Sequence, residues 1–235
     1  MDSKELKEIS PARLAVGRSG ARPLTKTVLQ FRADHARARD AVYSELSEEF
    51  IRNLSAKEGS QTLTTLCTDR TDFILNPPKG KKASEAELKK LNGLTKNVDV
   101  QIVVSDGLSA AAVEANIPDL LPILKDGLEL ENISFGAPVI VHYGRVAIAD
   151  QIAHHVSAKI ALNLIGERPG LSSATSLSAY ITYNPGPHTI SSDRTVVSNI
   201  HAAGTPPLEA GAYIVQLCKK ILDRKMSGVK LQKII

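Results

Sequence analysis

Apolar residues recur along this chain with two different periods, which predict two kinds of element. Residues 98–104, 138–141 and 159–165 form short apolar runs of the kind found in buried strands. Residues 176–183 alternate apolar and polar side chains, as a half-buried strand does. Helical spacing separates several of these runs, so the second half of the chain is expected to alternate strands and helices.

The predicted helices of the second half cover residues 110–116, 118–128 and 148–156. A last helix is expected to begin with Thr205 as N-cap and Pro206 at the first helical position, where a missing N–H has no cost.

In the first half, Thr25 is expected to cap a long helix that runs towards Leu46. Residues 62–67 and 72–75 resemble short strands on either side of a turn. The pattern as a whole predicts an α/β fold, with a doubly wound, mostly parallel, Rossmann-like sheet in residues 96–235. A smaller, mainly helical N-terminal region is expected over residues 1–95.

Composition narrows the class of protein. The chain is 43% apolar and 23% charged, and no run approaches the roughly 20 apolar residues that span a bilayer. Residues 1–10 contain no signal-peptide core, so a cytoplasmic location without a membrane is expected. The net charge of +4 comes with few aromatic residues and no Trp, which argues against nucleic-acid binding. The two cysteines, Cys67 and Cys218, do not have metal-ligand spacing.

Three of the predicted strands end in glycine beside a charged residue. The three ends are Ser105-Asp106-Gly107, Tyr143-Gly144-Arg145-Val146 and Gly166-Glu167-Arg168. Glycine allows a sharp turn or a close approach to a ligand, and ligands of parallel sheets bind outside the carboxyl ends of strands. The three ends therefore predict one ligand-binding edge. Ordinary strand-to-helix turns use the same residue types and are the alternative.

Motifs for other enzyme classes are weak or missing. The chain has no Walker A loop, no complete dinucleotide fingerprint and no zinc-protease histidine spacing. Gly170-Leu171-Ser172 half-matches the nucleophile elbow of serine hydrolases, which requires a helix directly after the serine. A serine hydrolase that uses Ser172 and a non-catalytic nucleotide-binding module are the alternative functions.

A series of ordered blocks gives the chain a strong resemblance to the small (light) subunit of ethanolamine ammonia-lyase. The match covers about residues 13–228. The blocks begin with Arg13-Leu14-Ala15-Val16-Gly17-Arg18-Ser19-Gly20 and Phe31-Arg32-Ala33-Asp34-His35, and include the three strand ends above. They finish with Asp193-Arg194-Thr195, Ser198-Asn199-Ile200-His201 and Gly204-Thr205-Pro206-Pro207.

This resemblance implies a function. The family enzyme converts ethanolamine to acetaldehyde and ammonia by a radical mechanism that uses adenosylcobalamin. It implies that this chain is active only with a large subunit, in a hetero-oligomer, and binds one side of the cofactor at the subunit interface. No catalytic or metal-ligating residue is expected in this chain. The cytoplasm is the expected location, with a bacterial microcompartment as the further site that the family implies.

Three positions match the family's cofactor contacts: Val146, Glu167 and Val196. A carboxylate accepts hydrogen bonds from corrin amides, and valine offers an apolar wall. A salt bridge to Arg145 or Arg168 is the alternative role for Glu167. The Asp-x-His-x-x-Gly pattern that would supply a histidine to cobalt is missing, so cobalamin is expected to bind in its base-on form.

Overall fold

A computed structural model of the protein describes residues 16–233. The blocks at residues 13–15 and the expectation for residues 1–10 lie outside this part. The strands are Arg18–Ser19 (β1), Arg22–Pro23 (β2), Gln61–Thr64 (β3), Val100–Ser105 (β4), Phe135–His142 (β5), Ile160–Gly166 (β6), Leu177–Tyr183 (β7) and Arg194–Ile200 (β8).

The helices account for most of the remaining regular structure. They are Thr25–Tyr43 (α1), Glu48–Glu58 (α2), Arg70–Leu75 (α3), Glu85–Lys89 (α4), Ala110–Leu130 (α5), Ile148–His155 (α6), Pro207–Arg224 (α7) and Gly228–Gln232 (α8). Short 3-10 turns lie at Lys79–Lys81, Lys90–Gly93 and Ser191–Asp193.

Six strands form one sheet in the order β3-β5-β4-β6-β7-β8. The β3–β5, β4–β5 and β4–β6 pairs are parallel, whereas β6–β7 and β7–β8 are antiparallel. The mixed α/β class and the mostly parallel sheet are thus confirmed. The doubly wound, Rossmann-like description stays a prediction. The division into two regions near residue 95 also stays a prediction. Strand β3, which comes from the N-terminal region, is a member of the sheet.

The core lies on both faces of the sheet because successive strand residues point to opposite sides. On one face, Ile102 and Val104 of β4 pack in a cluster with apolar residues of α5 and α7. On the other face, Val103 of β4 and Ala161 of β6 pack with Ile148 and Ile152 of α6. Helix α6 therefore covers the second face along the central strands.

The strand expected at residues 72–75 is wrong, because this segment belongs to helix α3. Asp69 caps the helix, and its carboxylate accepts a hydrogen bond of 2.8 Å from the Asp72 backbone N–H. An aspartate at the N-cap satisfies a donor that the first helical turn would otherwise leave unpaired. This local capping outweighs the β-propensity of Phe73 and Ile74.

The two helices expected over residues 110–128 are a single helix, α5, with Pro118 and Pro122 inside it. Its side chains Leu120 and Leu124 are fully buried in the core, and this packing offsets the disruption that interior prolines cause. Helix α7 begins at Pro207 with Pro206 as N-cap, one residue later than expected, since Thr205 was the expected N-cap. The Thr205 N–H instead donates to the Asn199 carbonyl at 2.9 Å.

Candidate functional site

The three strand ends that sequence reasoning singled out belong to adjacent parallel strands, β5, β4 and β6. Their carboxyl ends therefore meet at one edge of the sheet. Gly107 and Gly166 bring two of these ends into direct contact, because a Cβ on Gly107 would lie 2.1 Å from the Gly166 carbonyl oxygen. Gly107 also has φ = +56°, which L side chains rarely adopt. Glycine at both positions allows this close approach, which fixes the backbone position from which Glu167 starts the next loop.

Asp106 organises this edge from the interior. Its carboxylate accepts hydrogen bonds of 2.9 Å from the backbone N–H groups of Tyr143 and Gly144. Arg70 donates to it at 3.3 Å, and the side chains of this ion pair are 6% and 1% exposed. Burial raises the pKa of Asp106, and Arg70 and the two backbone donors oppose that shift. Asp106 is thus engaged in holding the turn that leads to Val146.

Val146 lies in the turn directly before α6, and its carbonyl is held by the central strand β6. The side-chain amide of Asn163 donates to the Val146 carbonyl at 3.2 Å. The side-chain oxygen Oδ1 of Asn163 accepts a 2.9 Å hydrogen bond from the Ser105 hydroxyl. Asn163 is only 1% exposed, and its bond with the fully buried Ser105 is shielded from water. The asparagine ties β4 and β6 to the loop that carries Val146.

Glu167 follows β6 directly and, among the described residues, has one side-chain partner. The Tyr180 hydroxyl donates to Glu167 Oε1 at 3.0 Å. Within residues 16–233, Glu167 has no salt bridge to Arg145 or to Arg168. Arg145 instead donates to the Phe73 carbonyl at 2.9 Å and lies 4.0 Å from the centre of the Phe73 ring. The second carboxylate oxygen of Glu167 is thus left available as an acceptor.

Val196 lies on the edge strand β8 and is 45% exposed. It pairs directly with Tyr180 of β7, and Tyr180 pairs directly with Asn163 of β6. Directly paired residues project from the same face of a sheet. We call Asn163, Tyr180 and Val196 the cross-strand row.

The cross-strand row connects all three predicted cofactor positions. Asn163 holds Val146 at one end, Tyr180 holds Glu167 in the middle, and Val196 is the last member. The row lies on the α6 face, because Asn163 also pairs with Val103 of the α6 cluster. Among the described residues, that cluster includes none from β7 or β8, so the face around Tyr180 and Val196 is not packed by its apolar side chains.

Sequence reasoning assigned no role to Asn163 or Tyr180. Asn163 carried a signal, since it is the one polar residue in the otherwise apolar run at residues 160–165. Tyr180 carried none, because its place beside Glu167 depends on the β6–β7 register.

Other features of the surface lie elsewhere. A cavity of about 490 Å³ is formed mainly by residues 183–189 and 225–230, and it includes none of the three predicted cofactor positions. Ser172 is exposed and is followed by a loop that leads into β7, so the helix that a nucleophile elbow requires does not follow it. Over residues 16–233, no group of three or more His, Cys, Asp or Glu side chains is placed to hold a metal ion. Nor, in that same part, is any helix long and apolar enough to cross a bilayer.

Comparison with known proteins identifies the family. The family model described as ethanolamine ammonia-lyase light chain (EutC) matches residues 2–232. The chain is 47% identical to an ethanolamine ammonia-lyase small subunit of Clostridium tetani over 228 residues, which cover 97% of this chain and 76% of that protein. A small subunit of Listeria innocua is 43% identical over 229 residues, 97% of this chain and 77% of the relative. This chain belongs to the ethanolamine ammonia-lyase light-chain family.

Proposed function

We propose that this member of the ethanolamine ammonia-lyase light-chain family binds one side of adenosylcobalamin at an interface with a large subunit. In that assembly it would take part in the conversion of ethanolamine to acetaldehyde and ammonia. The cross-strand row supports the proposal, because Val146, Glu167 and Val196 are far apart in sequence and the row connects all three. When bound, the cofactor would supply the radical chemistry that starts the reaction.

The chemistry of these residues fits the cofactor. A corrin ring is a flat apolar macrocycle with amide groups around its rim. The half-exposed Glu167 has a carboxylate oxygen available for an amide N–H, and the Val196 side chain is 45% exposed as an apolar contact. Both lie on an open surface, which agrees with a site that a second chain completes. Base-on binding, the microcompartment and the cytoplasmic location stay predictions.

This chain's own residues would bind and orient the cofactor and exclude water from its face. Asp106 is fully buried and bonded to Arg70 and two backbone donors, so it is not placed to receive a substrate proton. Asp150, another buried carboxylate, is paired with Arg194 of β8 and is likewise engaged. The substrate would therefore be held by the large subunit.

Co-expression with a large-subunit partner tests the proposal. We expect the purified complex to bind added adenosylcobalamin, seen in its visible absorption spectrum, and to form acetaldehyde from ethanolamine. The single chain should form none. Acetaldehyde formation by the single chain, or a complex whose cobalamin affinity does not change when Glu167 and Val196 are substituted, would contradict the proposal.

A further inference from the structure

Tyr180 is the only side chain in the described structure that bonds the Glu167 carboxylate, and the sheet holds it in position for this role. It lies between Asn163 on β6 and Val196 on β8 and is half-buried. Its hydroxyl is 3.0 Å from Glu167 Oε1. A tyrosine in a strand has only two side-chain torsions, so a ring packed in this way presents its hydroxyl at a defined place.

The bond constrains how Glu167 can act as an acceptor. Glu167 begins the loop after β6, and its N–H donates to the Ser176 carbonyl at 3.0 Å. The backbone of this residue is thus fixed, whereas its side chain has no ion pair in the described part of the chain. With Oε1 engaged by Tyr180, the orientation of Oε2 follows from the tyrosine.

From this geometry we infer that Tyr180 is a positioning residue for cofactor binding. Its hydroxyl orients the Glu167 carboxylate so that the second carboxylate oxygen accepts a hydrogen bond from a corrin amide. The inference rests on the proposed function and extends it to a residue that does not itself supply the acceptor. Tyr180 also contacts both other parts of this surface: it bonds Glu167 and pairs with Val196 on the outer strand β8.

The ionisation of Tyr180 is compatible with this role. Burial, followed by the negative charge of Glu167 and the hydrogen bond to it, raises the Tyr180 pKa to about 12. The hydroxyl therefore keeps its proton at neutral pH and remains a donor. A hydrogen bond to a charged acceptor is stronger than one between neutral groups, so the Tyr180 hydroxyl is a suitable fixed partner for the Glu167 carboxylate.

A double-mutant cycle on the complex with the large subunit tests the inference, with cyanocobalamin as the probe and absorbance titration as the readout. Tyr180→Phe removes the hydroxyl and keeps the ring. We expect it to weaken cyanocobalamin binding by about tenfold in the otherwise unchanged complex. In a Glu167→Ala background the same substitution should have little further effect, because Tyr180 acts through Glu167.

Tyr183→Phe is the matched control. Tyr183 is on the same strand, points to the opposite face beside the α5 and α7 cluster, and its hydroxyl has no hydrogen-bond partner among residues 16–233. This variant should bind cyanocobalamin as the unchanged complex does. Thermal melts of all variants would show that each is folded.

The outcomes separate the inference from the proposed function. If Glu167→Ala weakens binding and Tyr180→Phe does not, the cofactor surface stands and the role of Tyr180 is refuted. If Tyr180→Phe has the same effect with and without Glu167, the tyrosine does not act through the carboxylate, and the inference also fails. If neither residue affects binding, the location of the cofactor on this face is itself wrong.

Discussion

Asn163 offers the most direct perturbation of the architecture beneath the candidate site. It is 1% exposed and makes two side-chain hydrogen bonds, one from the Ser105 hydroxyl at 2.9 Å and one to the Val146 carbonyl at 3.2 Å. Asn163→Ala removes both hydrogen bonds and leaves the Ser105 hydroxyl and the Val146 carbonyl without this partner.

The expected loss follows from the burial of those two groups. A buried polar group left unpaired costs roughly 1–3 kcal/mol. Ser105 is fully buried and should contribute the larger share, whereas Val146 is half-buried and water can reach it more easily. We expect the free energy of unfolding to fall by about 2–5 kcal/mol, and the melting temperature by roughly 5–15 °C.

Thermal unfolding followed by circular dichroism measures this loss, and Gln101→Ala is the control. Gln101 is also fully buried and donates to the Ile102 and Ala137 carbonyls at 2.8 and 2.9 Å, but it lies near the amino end of β4. Both variants should be less stable than the unchanged chain. Only Asn163→Ala should also weaken cyanocobalamin binding in the complex, because only Asn163 holds Val146.

Two results would refute this reasoning. A melting temperature of Asn163→Ala within about 1 °C of the unchanged chain would mean that the two hydrogen bonds add nothing to stability. An equal loss of cyanocobalamin affinity in Asn163→Ala and Gln101→Ala would mean that the effect comes from general destabilisation and not from Val146.

The remaining predictions concern Val196 and Asp72. Val196→Asp should sharply weaken cyanocobalamin binding by the complex, because a charge would be buried against the cofactor. Val196→Cys should leave the affinity nearly unchanged, because cysteine is also a small apolar side chain. Equal affinity of the unchanged complex and the Val196→Asp complex would place this residue outside the site. The hydrogen bond from Lys79, with the Thr68 N–H, lowers the Asp72 pKa from 3.8 to about 2. The ionised Asp72 should therefore contribute to stability above pH 3.8, its pKa in the unfolded chain, and lose this contribution as the pH falls towards 2. Urea unfolding over this pH window should show a weaker pH dependence of the free energy of unfolding for Asp72→Asn than for the unchanged chain.

Much of the fold could be predicted because its strands are strongly apolar. The apolar patterns predict strands at residues 98–104 and 159–165 and a helix at 148–156, within a few residues of the observed β4, β6 and α6. The errors arose where local bonding or packing outweighed residue propensity. Asp69 caps α3 where a strand was expected, and core packing carries α5 through its prolines.

The candidate site was predictable only in part, and the reason is register. The adjacency of the Asp106, Gly144 and Gly166 turns follows once the strands are parallel neighbours. The bond from Tyr180 to Glu167 depends on which residue of β7 lies opposite Asn163, and a shift of one residue would place the tyrosine on the other face. No local pattern in the sequence specifies that pairing.

The reversal of direction after β6 explains why the candidate site extends from an edge onto a face. If β7 ran parallel to β6, its carboxyl end would add one more turn to the edge, and its middle residues would be remote from Glu167. Because β7 runs back along β6 after the loop at residues 167–176, Tyr180 lies within hydrogen-bonding distance of Glu167, the residue that follows β6. Strand β8 then adds Val196 beside the tyrosine, beyond the apolar cluster of α6. The two antiparallel strands thus add an open surface to a parallel sheet, and a bound cofactor on that surface would be shielded from water only when a second chain covers it.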